Sequence, residues 1–166
     1  MIFRKYRERV RNPVSIKDKT FKGRKLKFGE TYTNCDFYKC KNYGARVINS
    51  NWHNGIWYLG EWIGGDWYSG TWKGEVRIFD GKVETSSWRI GRWHNGVWEG
   101  GYWHDGVWFN GLWKNGTFKE GSWHDGIWEN GNWLGGLWKD HNDNWMNTRN
   151  KKENFYYSFL RRASGI

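Results

Sequence analysis

The sequence predicts an all-β fold, a single-stranded β-solenoid in which short straight segments alternate with tight corners. Tryptophan recurs at every fifth position over most of the chain, and 16 of the 166 residues are tryptophan. A glycine stands two positions before almost every one of them, and pairs such as Asn95-Gly96 and Asp105-Gly106 favour tight corners. A unit of five residues is too short to be a domain, so it must be one segment and one corner of a stacked repeat.

The five-residue register also defines the expected core. The apolar fraction is only 37%, so the interior must be built from aromatic rings that stack from coil to coil. We attribute the glycines to the space that the neighbouring indole rings require. The predicted core positions are Trp52, Trp57, Trp62, Trp67, Trp72, Trp88, Trp93, Trp98, Trp103, Trp108, Trp113, Phe118, Trp123, Trp128, Trp133 and Trp138.

The length of one coil follows from a slower period. Three residues between corners cannot form an independent strand, but they are stable when equivalent segments of successive coils pair at about 4.8 Å. The best internal match lies between residues 101–108 and 121–128, which predicts four segments and about twenty residues per coil. The alternative is a ribbon of consecutive short β-hairpins that carries all rings on one face.

The repeat divides the chain into five parts. These are a basic N-terminal arm (1–29), a first repeat block (30–74), an insertion (75–87), a second repeat block (88–140) and a C-terminal cap or tail (141–166). We expect the last part to cover the final coil, because an open β-edge invites aggregation.

The insertion breaks the five-residue register. Val76 and Ile78 alternate with polar residues, and the pair Asp80-Gly81 follows them. This pattern predicts a small hairpin or a looped-out coil that projects from the stack. Such a projection is a candidate contact point for a partner.

Before the tryptophans begin, the register has the form small-x-large, as in Cys35-Asp36-Phe37, Ala45-Arg46-Val47 and Ser50-Asn51-Trp52. In this respect the chain resembles the pentapeptide-repeat family, and the resemblance implies a right-handed quadrilateral β-helix. That family fills its core with Leu or Phe and Ala, whereas this chain uses Trp and Gly. The spacing also makes Cys35 and Cys40 small inward residues.

A second, shorter resemblance supports the hairpin alternative. The segment 111–116, Gly-Leu-Trp-Lys-Asn-Gly, is similar to the start of a MORN repeat, which is a β-hairpin module. The rest of that longer unit does not follow. Both resemblances imply an elongated all-β protein.

The net charge of +10 lies at the two ends of the chain. Residues 1–27 hold 11 Lys and Arg against 2 acids, residues 28–138 hold 10 against 12, and residues 139–166 hold 6 against 3. Basic ends on a nearly neutral body suggest segments that dock on an acidic partner. The residues expected to bind that partner are Arg4, Lys5, Arg7, Arg9, Arg11, Lys22, Arg24, Lys25 and Lys27.

A further candidate interface lies along the body of the repeat. Branched aliphatic residues precede several tryptophans and should therefore point outward. They are Ile56, Val97, Val107 and Ile127. An exterior apolar stripe of this kind is typical of a protein interface.

The sequence holds no clear catalytic constellation, and we expect no enzymatic activity, no cofactor and no metal. On a coil of about twenty residues, His104 and His124 would stack beside Asp105 and Asp125, where the pair could hold a metal ion. Lys114 fills the same slot between them, which favours a corner role for these histidines. Outward tryptophans would bind sugars, but most rings are needed for the core.

The sequence therefore favours a non-enzymatic structural or adaptor protein that docks by its basic ends among other proteins of a larger assembly, of the kind found in a bacteriophage virion or tail. Nucleic-acid binding through the Lys/Arg-rich arm is the first alternative, and carbohydrate binding by exposed tryptophan is the second. No segment is long and apolar enough to cross a membrane. The first residues lack a secretory signal, so we expect cytoplasmic synthesis and incorporation in a virion. The oligomeric state stays open.

Overall fold

The computed structural model describes residues 13–79, 81–140 and 142–147. Within these residues every regular element is a β-strand. Most strands of the second repeat block consist of a tryptophan and the residue before it. The first eight strands are β1 Val14–Lys17, β2 Thr20–Lys22, β3 Lys25–Leu26, β4 Glu30–Thr33, β5 Asp36–Tyr38, β6 Cys40–Trp52, β7 Gly55–Trp67 and β8 Thr71–Trp72. The others are β9 Val76–Phe79, β10 Lys82–Thr85, β11 Ser87–Trp88, β12 Arg92–Trp93, β13 Val97–Trp98, β14 Tyr102–Trp103, β15 Val107–Trp108, β16 Leu112–Trp113, β17 Thr117–Phe118, β18 Ser122–Trp123, β19 Ile127–Trp128, β20 Asn132–Trp133, β21 Leu137–Lys139 and β22 Trp145–Asn147.

Successive coils pair in parallel, and this pairing makes the fold a β-solenoid. Val97 lies beside Leu112, and Trp98 lies beside Trp113. The backbone N–H of Leu112 donates to the carbonyl of Gly96 at 2.9 Å, in the coil below. The predicted all-β solenoid is confirmed. The alternative ribbon of hairpins is wrong for the two repeat blocks, because their strands wind in one direction.

Each coil has three segments, so the prediction of four segments and about twenty residues is wrong. The paired residues Trp98 and Trp113 are 15 positions apart. Three indoles of one coil already meet edge to face and fill the cross-section: Trp57 and Trp62 at 5.8 Å between ring centres, Trp62 and Trp67 at 6.0 Å, and Trp57 and Trp67 at 6.2 Å. The coil is therefore three-sided, unlike the quadrilateral coil that the family resemblance implied.

The inward residues form three columns, one on each side of the solenoid, and we number the sides in chain order. Side 1 carries Ile16, Tyr32, Val47, Trp62, Trp88, Trp103, Phe118 and Trp133. Side 2 carries Phe21, Phe37, Trp52, Trp67, Trp93, Trp108, Trp123 and Trp138. Side 3 carries Leu26, Asn42, Trp57, Trp72, Trp98, Trp113 and Trp128. At the usual strand spacing these layers make a rod roughly 35 Å long.

Ring stacking along the columns is the main packing interaction. Trp98 and Trp113 stack at 4.9 Å with their planes 5° apart, and Trp108 and Trp123 stack at 4.6 Å. Of the predicted core positions, all are buried except Trp133 in the last layer, which is half-buried. Burial of one such ring contributes roughly 4–6 kcal/mol before conformational entropy is subtracted.

One polar residue interrupts the core. Asn42 lies in the side 3 column and is fully buried. Its side-chain oxygen accepts hydrogen bonds from the backbone N–H groups of Ala45 at 2.8 Å and Gly44 at 3.1 Å, and its amide nitrogen donates to the carbonyl of Ala45 at 3.1 Å. These bonds offset the cost of burying the amide. Asn42 thus closes a local turn in place of a ring.

The corner glycines are required by the backbone of the neighbouring coil. Gly111 has a φ of +126°, a region that L-residues with a side chain rarely adopt. A Cβ there would lie 2.5 Å from the carbonyl oxygen of Gly96 and 3.3 Å from the indole nitrogen of Trp93. The closer obstacle is therefore the carbonyl of the coil below, and the indole that the sequence analysis named is the lesser one.

The solenoid begins before residue 30. Strands β1, β2 and β3 pair in parallel with β4, β5 and β6, so residues from Val14 onward form the first coil. Leu26 is fully buried in this coil. The boundary at residue 29 is thus too late, and only residues 1–12 of the predicted arm lie outside the described residues.

The insertion forms a hairpin of β9 and β10, which pair antiparallel. The hairpin lies in the chain between the paired residues Trp62 and Trp88, which are 26 positions apart. Paired residues of the regular coils, such as Trp98 and Trp113, are 15 positions apart, so the hairpin adds eleven residues to one coil. Gly74 packs directly against the backbone of Gly100. The coil therefore leaves its path at Gly74 and resumes it at Ser86, which is buried at the next corner.

The far end of the rod is partly covered. Strand β22 turns back and pairs antiparallel with β21, so that Trp138 lies beside Met146. Of the predicted cap 141–166, the structure describes residues 142–147, and β22 is the strand among them. Residues 148–166 lie outside the described residues.

Deletion of residues 75–85 should leave the solenoid intact. The deletion joins Gly74 to Ser86 and places Trp72 and Trp88 five positions apart, in the register of every other segment. We expect a thermal unfolding midpoint equal to or above that of the full chain, because a shorter loop costs less entropy on closure. Circular dichroism and a melting curve measure this, and an unfolded variant would show that the hairpin is needed for folding.

Substitution of a corner glycine should destabilise the fold strongly. We expect Gly111→Ala to lower the free energy of unfolding by about 3 kcal/mol or more, through backbone strain and the clash with Gly96. The matched control is Gly100→Ala, where a Cβ meets only the carbonyl of Lys73 at 3.7 Å and φ is ordinary. Chemical denaturation compares the two, and equal losses would contradict this account of the corners.

Candidate functional site

Side 2 carries a second ring ladder on its outer surface. The residue after each inward ring is aromatic or histidine through six coils, and consecutive rings lie 4.0–5.1 Å apart. The members of this outer ladder are Tyr38, His53, Tyr68, His94, Phe109 and His124. Trp145 of β22 closes it, edge-on against His124. Because both faces of His53, Tyr68, His94 and Phe109 are covered by neighbouring rings, these members present their edges to the solvent.

A carboxylate supports the outer ladder from below. Asp66 is nearly buried on side 2 and receives hydrogen bonds from Arg92 at 2.7 Å and His94 at 2.8 Å. Burial alone would raise the pKa of Asp66, but the hydrogen bonds and charges of His94 and Arg92 outweigh it and hold the pKa below its ordinary value. Asp66 therefore stays ionised and fixes the His94 ring in the ladder.

Side 3 combines an alternating charge row with an apolar row. Lys73 and Lys114 both contact the carboxylate of Glu99, at 2.8 Å and 3.7 Å. The apolar row of side 3 contains Ile56, Val97, Leu112 and Ile127, with Thr71 between them. Val107 lies on side 2 beside Arg92. The expected stripe of Ile56, Val97, Val107 and Ile127 is therefore wrong in one member, because the coil length sends Val107 to another side.

The hairpin and side 1 enclose a groove with a volume of about 530 Å³. Glu84 and Thr85 of β10 form one wall, and side 1 forms the other with Arg46, Glu61 and Arg89. The groove exists because the hairpin breaks the repeat, since a regular coil has flat sides.

The side 1 wall of the groove contains an ionic triad. Glu61 accepts from the Nε of Arg46 at 3.1 Å and from the Nε of Arg89 at 2.9 Å. Burial raises the pKa of Glu84 above its ordinary value. Burial also lowers the pKa of His104, and the nearby charges of Arg89 and Lys119 lower it further. These residues form a polar wall with both signs of charge.

The hairpin itself carries an exposed apolar face. Val76, Ile78 and Val83 project from one face of the hairpin and are 61%, 77% and 64% exposed. The opposite face carries Arg77 and Glu84, which pair across the two strands. The apolar face is thus a surface that the solenoid does not cover.

The structure places the predicted partner-binding residues in two groups. Lys22, Arg24, Lys25 and Lys27 lie in the first coil, and Arg4, Lys5, Arg7, Arg9 and Arg11 lie outside the described residues. Arg24 is held by an ion pair with Glu30 at 3.6 Å and lies over the ring of Phe21 at 4.8 Å. The three lysines are exposed and belong to a folded coil. Their role in binding stays a prediction.

The histidines do not form the metal-binding pair that a coil of about twenty residues would allow. His104 lies on side 1 and His124 on side 2, so the stacked pair expected beside Asp105 and Asp125 is not formed. Cys35 and Cys40 are buried at two different corners as small inward residues. Among residues 13–79, 81–140 and 142–147, no group of three or more His, Cys, Asp or Glu side chains is arranged around a common point for a metal ion.

The tryptophans offer little surface for a sugar. Trp145 is the one exposed tryptophan among the described residues, and its neighbours are His124 and the ammonium of Lys139, 5.4 Å from the ring centre. The part of the chain that the structure describes contains no helix of the length and hydropathy that a membrane span needs.

Sequence reasoning missed the outer ladder because it assumed the wrong coil length. A spacing of 15 connects His53 with Tyr68, and it connects His94 with Phe109 and Phe109 with His124. The sequence therefore contains a 15-residue period of outer rings, which indicates both the outer ladder and the length of one coil. The groove carried no such signal, because it arises from the position of the hairpin against side 1.

Acid should weaken the fold through His124. Burial is the main cause that holds the pKa of His124 below its ordinary value, so the unfolded chain takes up a proton at a higher pH than the folded chain. Stability is therefore complete above the ordinary histidine pKa and is lost as the pH falls through it. Denaturant midpoints at pH 7.5 and pH 5.5 should differ less for His124→Phe, which keeps a ring in the ladder, than for the unchanged chain. An equal difference would contradict the assignment.

Comparison with known proteins finds no matching protein family, no curated relative and no similar solved structure. The chain is a β-solenoid with a regular tryptophan-rich repeat. It shares with pentapeptide repeats the period of five, and it departs from them in the number of sides of its coil.

Proposed function

We propose that the protein is a non-enzymatic structural or adaptor component of a larger assembly, of the kind found in a bacteriophage virion or tail. The observation that carries this proposal is the interior, where three columns of inward residues fill the cross-section and hold a ring at every position from Trp52 onward. Such a rod has a fixed shape and offers its outer sides to partners. A scaffold needs both properties.

The hydrogen bonds between coils support a mechanical role. Equivalent bonds repeat at each layer, such as Val107 N to the carbonyl of Gly91 and Ser122 N to the carbonyl of Gly106, both at 2.9 Å. Bending of the rod would break these hydrogen bonds and pull apart the stacked rings beside them at the same time. A rod of this kind holds the partners bound along its sides at fixed distances from one another.

The hairpin is the surface best suited to a protein partner. Its apolar residues Val76, Ile78 and Val83 are mostly exposed and stand clear of the flat sides. Exposed apolar patches of this kind mark protein interfaces. The groove beside it adds the polar rim that such interfaces have, with Arg46 and Arg89 in its side 1 wall.

The residues of the groove favour binding over catalysis. The two arginines are engaged with Glu61. Burial and positive neighbours hold His104 neutral, since they lower its pKa. A nucleophile and a base in contact, with a third group to orient the base, are the signature of covalent catalysis. In the groove, Arg46, Glu61 and Arg89 are instead joined in ion pairs.

Isolation of the full-length chain from the cells that make it naturally tests the proposal. We expect it in a particle of fixed stoichiometry. The double variant Ile78→Thr/Val83→Thr should be absent from that particle, because it removes the apolar contact. Threonine is β-branched, so the hairpin itself should still form. Ile90→Thr/Leu134→Thr, which alters exposed apolar residues elsewhere, is the control and should remain. A chain that behaves as a free monomer, or a hairpin variant that stays in the particle, would contradict the proposal.

A further inference from the structure

A cluster of lysines lies at the start of the rod, at the corner between side 2 and side 3. Lys22 ends β2 and Lys25 begins β3, while Lys39 and Lys41 lie at the same corner one coil above. All four side chains are exposed. We call these four residues the lysine corner.

The lysine corner brings like charges together. Lys25 and Lys41 are directly paired across parallel strands, and the backbone N–H of Lys41 donates to the carbonyl of Arg24 at 2.9 Å, which holds the two strands in register. Adjacent strands are about 4.8 Å apart, and like charges opposite each other destabilise a sheet. Stacking of the core does not require lysine at these exterior positions. The arrangement therefore costs stability without any gain in packing.

Neither neighbouring acid, Asp36 or Glu30, forms an ion pair with a lysine of the lysine corner. Asp36 accepts from the amide of Asn51 at 3.0 Å and contacts the His53 ring at 3.3 Å. Glu30 accepts from the backbone N–H of Lys27 and from the hydroxyl of Tyr32.

Lysines farther along the rod behave differently. Lys73, Lys114 and Lys139 each form an ion pair with an acid. In the described stretch 13–41, none of the seven lysines does so. The positive charge at this end is thus available to a ligand.

We infer that the lysine corner binds the phosphodiester backbone of a nucleic acid, without regard to sequence. Lysine is a compact point charge that suits contact with phosphates, and phosphate contacts carry no sequence information. Neutralised phosphates release counterions, so such binding is strong at low salt and weakens as salt is added. This inference goes beyond the scaffold role and does not depend on it.

The chemistry of the surface favours nucleic acid over an acidic protein or a membrane. Protein interfaces have an apolar centre and are depleted in lysine, and peripheral membrane binding couples basic residues to apolar side chains that insert. Among the described residues, no large apolar side chain between 15 and 67 is exposed. The lysine corner therefore offers charge alone, which is what a phosphate backbone needs.

The test uses the full chain and fluorescence anisotropy with labelled duplex and single-stranded DNA of two unrelated sequences, over a range of salt. We expect binding that is equal for the two sequences and falls steeply with salt. Lys25→Gln/Lys41→Gln should reduce the slope of log affinity against log salt by about one per lysine. At about 0.1 M salt its affinity should be at least roughly tenfold weaker.

Two controls keep the inference falsifiable. Lys82→Gln/Lys119→Gln removes the same charge from exposed lysines far from the corner and should leave affinity and slope nearly unchanged. The thermal midpoint of Lys25→Gln/Lys41→Gln should be unchanged or higher, because a repulsion is removed, so its weaker binding cannot come from unfolding. Absence of DNA binding, or equal loss in both double variants, would overturn the inference. Binding to vesicles of anionic phospholipid without binding to DNA would overturn it as well.

Discussion

The structure depends on the agreement between two distances, the spacing of paired β-strands and the spacing of stacked rings. Strands pair at about 4.8 Å, and aromatic rings in offset stacks have centres from about 4.5 Å apart. In the columns the indoles meet this spacing, at 4.8 Å for Trp113 and Trp128 and 4.9 Å for Trp93 and Trp108. The backbone and the core can therefore repeat together without strain. A β-solenoid can in this way use the largest side chain at nearly every inward position.

This agreement also explains the corners. With the rings fixed by stacking and the strands fixed by pairing, the corner backbone must pass close to the carbonyl of the coil below. Glycine satisfies this at positive φ in the later coils, as at Gly111. In the earlier coils Ala45 and Ser50 occupy the same position with ordinary φ values, and both are buried. The change from small-x-large to Gly-x-Trp along the chain is thus a change of corner geometry within one fold.

The sequence could predict the segment but not the number of segments in a coil. The tryptophan period of five places a ring on every side, so it is the same for three sides and for four. The internal match at a spacing of twenty reflected similar corners, such as those at His104 and His124, which in fact lie on different sides. The outer rings carry the information, because Tyr68 stacks on His53 only in a coil of 15 residues. The hairpin was predictable from its alternation and its turn, whereas the groove depends on how the hairpin lies against Arg46 and Glu61, which no local pattern encodes.

The exterior can vary because the inward rings, the strand pairing and the corner residues determine the fold. Most exterior differences between coils are compatible with stability: Lys73 and Glu99 attract each other, and the rings of the outer ladder stack. Two departures act against stability. The paired lysines Lys25 and Lys41 repel each other, and the hairpin exposes Ile78 and Val83 to water. Neither is required by pairing or by stacking, since a regular coil would contain neither. Residues that cost stability and do not serve the fold are best explained by a ligand, and for these two departures we propose a phosphate backbone and a protein partner.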